Sequence, residues 1–391
     1  MKKKYRPMSG ASRVWVSAGN LWPPFSNQMV VEGRGTLDIE RMKQAVETAS
    51  EANPGARLVC RGSLGRSRWI DSGICPGVRE VDGARWSGRG RQGAGFLLDP
   101  FDLHRGPTCE VLVVRGSPSR CVFKTHHAVM DGRGTQTWAE DIFRVLRGEA
   151  PVGSDYLAIE DDFLNVSART EKALPGTYIS PLDTPSGRSS GFVWRRLTLK
   201  GKFSLLLPKV MCLIAREAWK KRGGRVRIGV PVDLRSRLEE FRSTSNLTNA
   251  IFFEIEKDTT PESLSHDIKI RLEEKKDGVL TWEDRIVRYV PLRLLERVLK
   301  NESVVSARTG RHRYSAFVSN LGRIPVAPFS TNEFSAEAVF FIPPGNELAP
   351  FFMVLSGSPA GLEIMLTVPA SYCDDENIDE IMERIASGLK E

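Results

Sequence analysis

The chain has 391 residues, 41% hydrophobic and 27% charged, with 56 Lys and Arg against 48 Asp and Glu for a net charge of +8. Those values are of a soluble globular protein, with room for two domains that each bury a core. No stretch approaches about 18 uninterrupted apolar residues, so no membrane-spanning helix is expected; the most apolar run, Leu205 to Ala215, is broken by Pro208 and Lys209.

Met1-Lys2-Lys3-Lys4 is basic but lacks the apolar core of a signal peptide behind it. Six cysteines, Cys60, Cys75, Cys109, Cys121, Cys212 and Cys373, are scattered without CxxC spacing. Together these point to a cytoplasmic protein with reduced thiols and neither disulfide framework nor metal site.

A loose start rich in Gly and Pro precedes a short strand, Gln28 to Glu32. Ile39, Met42, Ala45, Val46 and Ala49 then recur at helical spacing, with Thr36 as N-cap and Asn53-Pro54-Gly55 as stop. Between Arg85 and Gly95, Gly88, Gly90 and Gly93 formally satisfy GxGxxG. No strand leads in and Phe96-Leu97-Leu98-Asp99-Pro100 follows where a helix should begin, so the segment reads as a flexible loop, not a nucleotide or RNA site.

Two apolar runs, Val111 to Val114 and Cys121 to Phe123, lead into Lys124-Thr125-His126-His127-Ala128-Val129-Met130-Asp131-Gly132-Arg133-Gly134. Trp138, Ile142, Val145 and Leu146 follow at helical spacing, which puts the histidines where a strand ends and a helix begins. Adjacent strand residues point to opposite faces, so the pair cannot readily share one metal ion; one ring faces a cavity and the other packs inward. An imidazole titrates near neutral pH and suits a general base. A structural His pair is the alternative, with Asp131 merely capping the helix. Cys121 reads as a buried, inert strand thiol and not as a nucleophile.

From Gly148 to Gly191 the pattern weakens into a connection between halves. The second half opens with a strand, Phe192 to Leu199, then a helix, Ser204 to Arg222, closed by Gly223-Gly224, then a strand from Arg225 to Val230. From Arg195 to Arg227 there are eleven basic residues against one acid, Glu217. Pro261 to Lys275 and Val290 to Leu299 read as helices. Ala338 to Ile342, Phe351 to Ser356 and Leu362 to Val368 read as strands, and Asp374 to Leu389 as a final helix.

His126-His127-Ala128-Val129-Met130-Asp131-Gly132 resembles the HHxxxDG signature of the condensation-domain and chloramphenicol-acetyltransferase-like acyltransferases. Pro100-Phe101-Asp102-Leu103-His104-Arg105-Gly106-Pro107 resembles their PFDLxxGP block. Gly229-Val230-Pro231-Val232-Asp233-Leu234-Arg235 looks like GxPVxxR, Ser245 to Phe253 sits where the family has a Phe-Val-Asn-Thr strand, and Ser319-Asn320-Leu321-Gly322 is similar to a Ser-Asn-x-Gly segment. The helix ending in Asn53-Pro54-Gly55-Ala56-Arg57 resembles the family's first helix, which closes with a His-Pro-x-Leu-Arg type turn.

The resemblance implies an α/β fold of two chloramphenicol-acetyltransferase-like subdomains, residues 1–175 and 176–391, as a V-shaped pseudo-dimer with a tunnel at their interface. It implies His127 as the catalytic base, with His126 beside it, Asp131 held by a distant arginine, and the Gly132 amide as oxyanion donor. Arg235 is the first candidate for that arginine, with Arg195, Arg196 and Arg323 as alternatives; Ser319 and Asn320 would serve substrate or structure. No cofactor is bound; the substrates are an acyl thioester, tethered to phosphopantetheine on a carrier protein or to coenzyme A, and a small amine or hydroxyl acceptor. Arg216, Lys220, Lys221, Arg222, Arg225 and Arg227 would steer the acidic carrier or the phosphates of coenzyme A. No carrier domain or Asp-Phe-Gly-Trp-Gly motif is found, so a monomeric, stand-alone enzyme is expected. A coenzyme A-dependent O-acyltransferase, a non-catalytic carrier-docking module and a nucleic-acid or membrane-surface binder are the competing readings.

Overall fold

The strands at Val111 to Val114 and Cys121 to Phe123 are apolar on both faces because both lie inside a sheet covered on each side. In the computed structural model, which describes residues 5–166, 175–185, 191–276, 279–280 and 282–391, they are Cys109–Arg115 and Ser119–His126 of a five-stranded sheet. Its order is Phe334–Ile342, Ser26–Gly35, Ser119–His126, Cys109–Arg115, Gly77–Asp82. Helices Ile39–Ala52 and Gly132–Leu146 pack together over it, where the Trp138 indole donates to Ser50 Oγ at 3.1 Å and meets Phe123 edge to face.

A second sheet of six strands runs in the order Phe192–Leu199, Gly361–Pro369, Phe352–Ser358, Ala316–Arg323, Val226–Asp233, Thr248–Ile255. Helices Leu206–Lys221 and Asp375–Lys390 back it through Val210, Ile214, Ile378, Ile381 and Ile385. One strand crosses from this later part of the chain into the first sheet. Phe334–Ile342 pairs antiparallel with Ser26–Gly35, setting Phe340 opposite Val30. The fully buried Phe340 ring carries the Arg196 guanidinium 3.9 Å from its centroid.

Two expectations are corrected here. The loose start is ordered: Tyr5–Pro7 pairs with Arg68–Asp71, and Gly10–Leu21 is a helix whose N-cap, Ser9, accepts from the Ser12 amide at 3.1 Å. Gly, Ser and β-branched residues give this segment weak intrinsic propensity, and its helix is sustained by tertiary packing. Buried Arg13 ties it to the Ser67 hydroxyl at 2.7 Å and the Val287 carbonyl at 3.1 Å. The Arg/Gly segment, expected as a flexible loop, is a seam: Gly90 bridges to Arg195, the Arg196 amide donates to the Arg89 carbonyl at 2.8 Å, and Arg91 pairs with Asp375 at 3.1 Å.

Smaller differences follow local chemistry. Asp38, not Thr36, caps the Ile39–Ala52 helix by accepting from the Arg41 amide at 2.7 Å. The helix expected from Ser204 starts at Leu206, and the one expected to end at Leu299 runs on to Thr309. Parts of the connection between 148 and 191 fall outside the described residues. Among the described residues, no helix is long and apolar enough to cross a membrane.

Replacing Phe340 with Ala is expected to destabilise the protein by about 3–5 kcal/mol, seen as a lower denaturant midpoint. An unchanged midpoint would mean that the crossing strand does not hold the first sheet together.

Candidate active site

The strand that ends at His126 is fixed from below by the Pro100 to Pro107 block. Lys124, fully buried, donates to Glu110 at 2.8 Å and to the Asp99 carbonyl, and its ammonium lies 5.0 Å from the Phe101 ring centroid. The His126 amide donates to the Thr108 carbonyl at 3.0 Å, and the Leu103 carbonyl accepts from the Cys60 amide at 2.7 Å. These ties hold the strand end where the chain turns into the Gly132–Leu146 helix.

The two histidines part company at that turn. His126 is buried, and its Nδ1 accepts from the Ala128 amide at 3.1 Å. Its Nε2 lies so near the Gly10–Leu21 helix that a Cβ on Gly19 would come within 2.5 Å of it. His126 therefore packs inward and does not line the cavity, which removes it from the catalytic candidates. His127 does line the cavity. Its Nδ1 sits 3.0 Å from Asn27 Nδ2, which also donates to the Met130 carbonyl at 2.7 Å. Trp15 tilts against its ring at a centroid distance of 5.2 Å, and Phe25 at 5.7 Å.

Burial sets the charge of both rings. It lowers His126 to about 3, with the neighbouring His127 acting in the same direction. It lowers His127 to about 4 against the opposing pull of the Asp131 charge and the Met130 carbonyl. Both are neutral at pH 7. Cys121, fully buried on the strand, has its thiol pKa pushed up by burial and offers no thiolate.

Asp131 does what each of its two readings requires. Its Oδ1 caps the following helix by accepting from the Gly134 amide at 2.7 Å. The same carboxylate takes the Arg235 guanidinium end-on, Nη2 to Oδ1 at 3.0 Å and Nη1 to Oδ2 at 3.0 Å. Leu247 N and Thr248 Oγ1 add donors to Oδ2 at 2.8 and 2.9 Å. Burial would raise this carboxyl, but the Arg235 charge and these donors prevail and hold it below the usual carboxylate range. The remaining Arg235 N–H groups go to the Ser243 carbonyl at 2.9 Å, Asp233 at 2.7 Å and the Ser245 carbonyl. Arg195 pairs instead with Asp375 and Asp379, and Arg196 with Glu32 and Glu363. Glycine is required at 134, where a Cβ would meet the Thr244 carbonyl at 2.4 Å.

A cavity of about 2050 Å³ takes its walls from both sheets. His127, Asp131 and Gly132 line it from the first, and Asp233, Thr248, Ser319 and Asn320 from the second. Asn320 turns its Oδ1 to the Gly322 amide at 3.0 Å, as a turn residue would. The six basic residues expected to gather a donor do not share a surface. Arg225 and Arg227 line the cavity, whereas Lys220 pairs with Glu217 at 2.7 Å, Lys221 with Asp183, and Arg222 donates to the Thr309 carbonyl at 3.1 Å. Arg216 is exposed and does not line the cavity. Arg216, Lys220 and Lys221 lie on the Leu206–Lys221 helix, which packs on the second sheet through Val210 and Ile214, and Arg222 is its C-cap.

Sequence reasoning missed Asn27, Trp15 and Asn246. Asn246 donates to the His127 carbonyl at 2.7 Å from a segment already singled out for its pattern. Asn27 stands one residue before the expected strand, and Trp15 lies in a helix without a sequence signature.

The fold and site together define a two-sheet α/β protein in which, among the described residues, one imidazole faces this cavity, at a strand-to-helix turn clamped by an ion pair. No family model matches the chain, and no curated protein does. Solved structures do. The chain is 13% identical to the condensation domain of monacolin K polyketide synthase MokA, over 99% of this chain and 96% of that one, with a TM-score of 0.63. It is 15% identical to a variant of the starter condensation domain of rhizomide synthetase RzmA in complex with C8-CoA, over 99% and 95%, with a TM-score of 0.64. It is also 15% identical to the first condensation domain of the calcium-dependent antibiotic synthetase in complex with a substrate analogue, over 99% and 96%, with a TM-score of 0.66. The chain has the condensation-domain fold.

Arg235→Met leaves Asp131 buried without its cation and is expected to cost about 3–5 kcal/mol of stability. Pairing it with Asp131→Asn should recover part of that loss, because no uncompensated charge is then buried. Additive losses in a double-mutant cycle would show that the two groups are not coupled.

Proposed function

We propose that the protein is a condensation-type acyltransferase. It moves an acyl or aminoacyl group from a phosphopantetheine thioester on a carrier protein to a small amine or hydroxyl acceptor. On this reading residues 1–175 and 176–391 form the two halves of a V, with the tunnel between them and the crossing strand as their tie. The observation that carries it is the placement of His127: a neutral imidazole on the wall of a cavity of about 2050 Å³, at the turn held by Asp131 and Arg235.

The roles follow from that geometry. With the proton of the neutral ring on Nδ1, directed at the Met130 carbonyl, the lone pair of Nε2 is left for the acceptor. As the acceptor nitrogen or oxygen attacks the thioester carbonyl, its proton passes to His127. The oxyanion that forms meets the Gly132 amide at the start of its helix, where backbone N–H groups favour negative charge. Collapse breaks the C–S bond, and the imidazolium returns its proton to the departing thiolate. Asp131 touches no reacting atom; with Arg235 it positions the turn. Coenzyme A as the donor is the second reading, favoured by the RzmA variant in complex with C8-CoA.

His127→Ala is expected to lower turnover about 10²–10⁴-fold while leaving the unfolding midpoint near its original value. A panel of acyl thioesters, each offered carrier-bound and on coenzyme A, with amine and alcohol acceptors and product analysis by mass, provides the assay. Unaltered turnover in the variant would remove the base role, and an inert wild-type chain would favour a docking module.

The base is active when neutral, and burial lowers its pKa to about 4. The acid limb of kcat/KM should therefore fall through about pH 4 and not through the ordinary value of about 6.5. A limb centred near 6.5 would put the ring in a water-like setting.

A further inference from the structure

One wall of the cavity is built of aromatic rings. In the second sheet Phe252 stands opposite Gly229, Gly229 opposite Phe317, and Phe317 opposite Phe352, so one row crosses four strands. Side chains in such a row share a face of the sheet. Ile228, Ala316, Val318 and Met353, one residue away along the same strands, go to the core between the sheet and its helices. Phe252, Phe317 and Phe352 instead line the cavity, as does Tyr314, and all four are only partly buried.

The glycine is what lets the rings close up. A Cβ at position 229 would lie 2.6 Å from Phe317 Cε1 and 3.0 Å from Phe252 Cε1, so both rings lean over the glycine. Tyr314 stacks on Phe252 at a centroid distance of 4.5 Å, 14° from parallel, and the Arg227 guanidinium lies 5.1 Å from the Phe252 centroid. Phe317 stands edge-on to the stacked pair, at 82° to Phe252 and 78° to Tyr314, and reaches the Phe352 ring at 5.9 Å. The group therefore presents faces and edges at right angles to one another. A further ring can stack on one member and meet another edge to face, the two arrangements in which aromatic quadrupoles attract. A saturated group gains burial there but not that attraction. Gly229 lies four residues along its strand from Asp233, which accepts from Arg235 of the clamp, so the rings stand about 13 Å along the wall from that end.

We infer that this wall is a binding subsite for a planar aromatic ring carried on a substrate and joined to its reacting group by a spacer. The inference rests on the proposed function for the ring's attachment to a substrate, and it names the class that function leaves open: an arylalkyl acyl group or an arylalkyl acceptor. The rings select the substrate, and His127 acts on it at the other end of the spacer.

Calorimetric titration of the full chain tests this without needing turnover. The probes are phenylalkanoyl-pantetheine thioesters of graded spacer length against their cyclohexyl counterparts, and phenylalkylamines against cyclohexylalkylamines. Cyclohexyl is the larger apolar group of each pair, so burial alone favours it, whereas a wall of rings favours phenyl. The wild type is expected to bind phenyl about threefold or more tightly than cyclohexyl in at least one series. Preference among the thioesters assigns the ring to the acyl group, and among the amines to the acceptor. Phe252→Leu and Phe317→Leu, which keep an apolar side chain in place, are expected to erase the preference. Tyr289→Leu, at an exposed ring that does not line the cavity, should keep it. The wild-type comparison does not depend on either cavity variant folding. Cyclohexyl binding as tight or tighter in both series, no binding of any probe, or a phenyl preference that survives both cavity variants would overturn the inference. Each of those results could accompany full His127-dependent turnover, and a phenyl preference could accompany an inactive chain, so the subsite and the proposed reaction fail separately.

Discussion

The bidentate contact between Asp131 and Arg235 is the constraint on which the site depends. It joins the start of a helix in one sheet's layer to a turn that follows a strand of the other, and it does so with both partners buried. A buried pair of this kind adds little net stability over a hydrophobic pair, because desolvation offsets most of the attraction. Its value is specificity. With five donors on the carboxylate and each guanidinium N–H matched to an acceptor, only one relative placement of the two segments satisfies everything at once.

That placement explains why the imidazole is usable. The His127 carbonyl is held by Asn246 from the second sheet's side, its Nδ1 by Asn27 from the first, and its ring by Trp15 from the N-terminal helix. Three separate elements thus fix one residue, and Trp15, Asn27 and Asn246 line the same cavity as its ring. The same packing removes His126 from the cavity and keeps both rings neutral, so the pair is asymmetric in role although adjacent in sequence.

The two sheets are tied at more than the site. The Phe334–Ile342 strand crosses to complete the first sheet, and the Arg/Gly seam and the Arg196 link to Glu32 and Glu363 stitch the sheets together beside it. Arg133 adds a bond from the turn after His127 to the Leu321 carbonyl at 2.7 Å. Between these ties the sheets leave a cavity instead of meeting as one core. A small residue such as Gly134 is what lets the backbone segments close to contact distance where they do meet.

The resemblance offered Arg235 only as the first of four candidate partners for Asp131; the sequence by itself determined the strand-to-helix junction that carries the histidines and the separation of their faces. These are legible because strand and helix periodicities are local and because the motif residues fall within one turn of each other. Only the tertiary structure decided the rest. The helix carrying Trp15 has weak local propensity and exists through what it packs against. The eleven basic residues divide because they belong to different elements: Arg216, Lys220 and Lys221 lie on the Leu206–Lys221 helix, whereas Arg225 and Arg227, two residues apart, share the face that lines the cavity. The strand at Phe334–Ile342 joins a sheet formed some three hundred residues earlier, a pairing set by long-range hydrogen bonding and burial that no local pattern encodes.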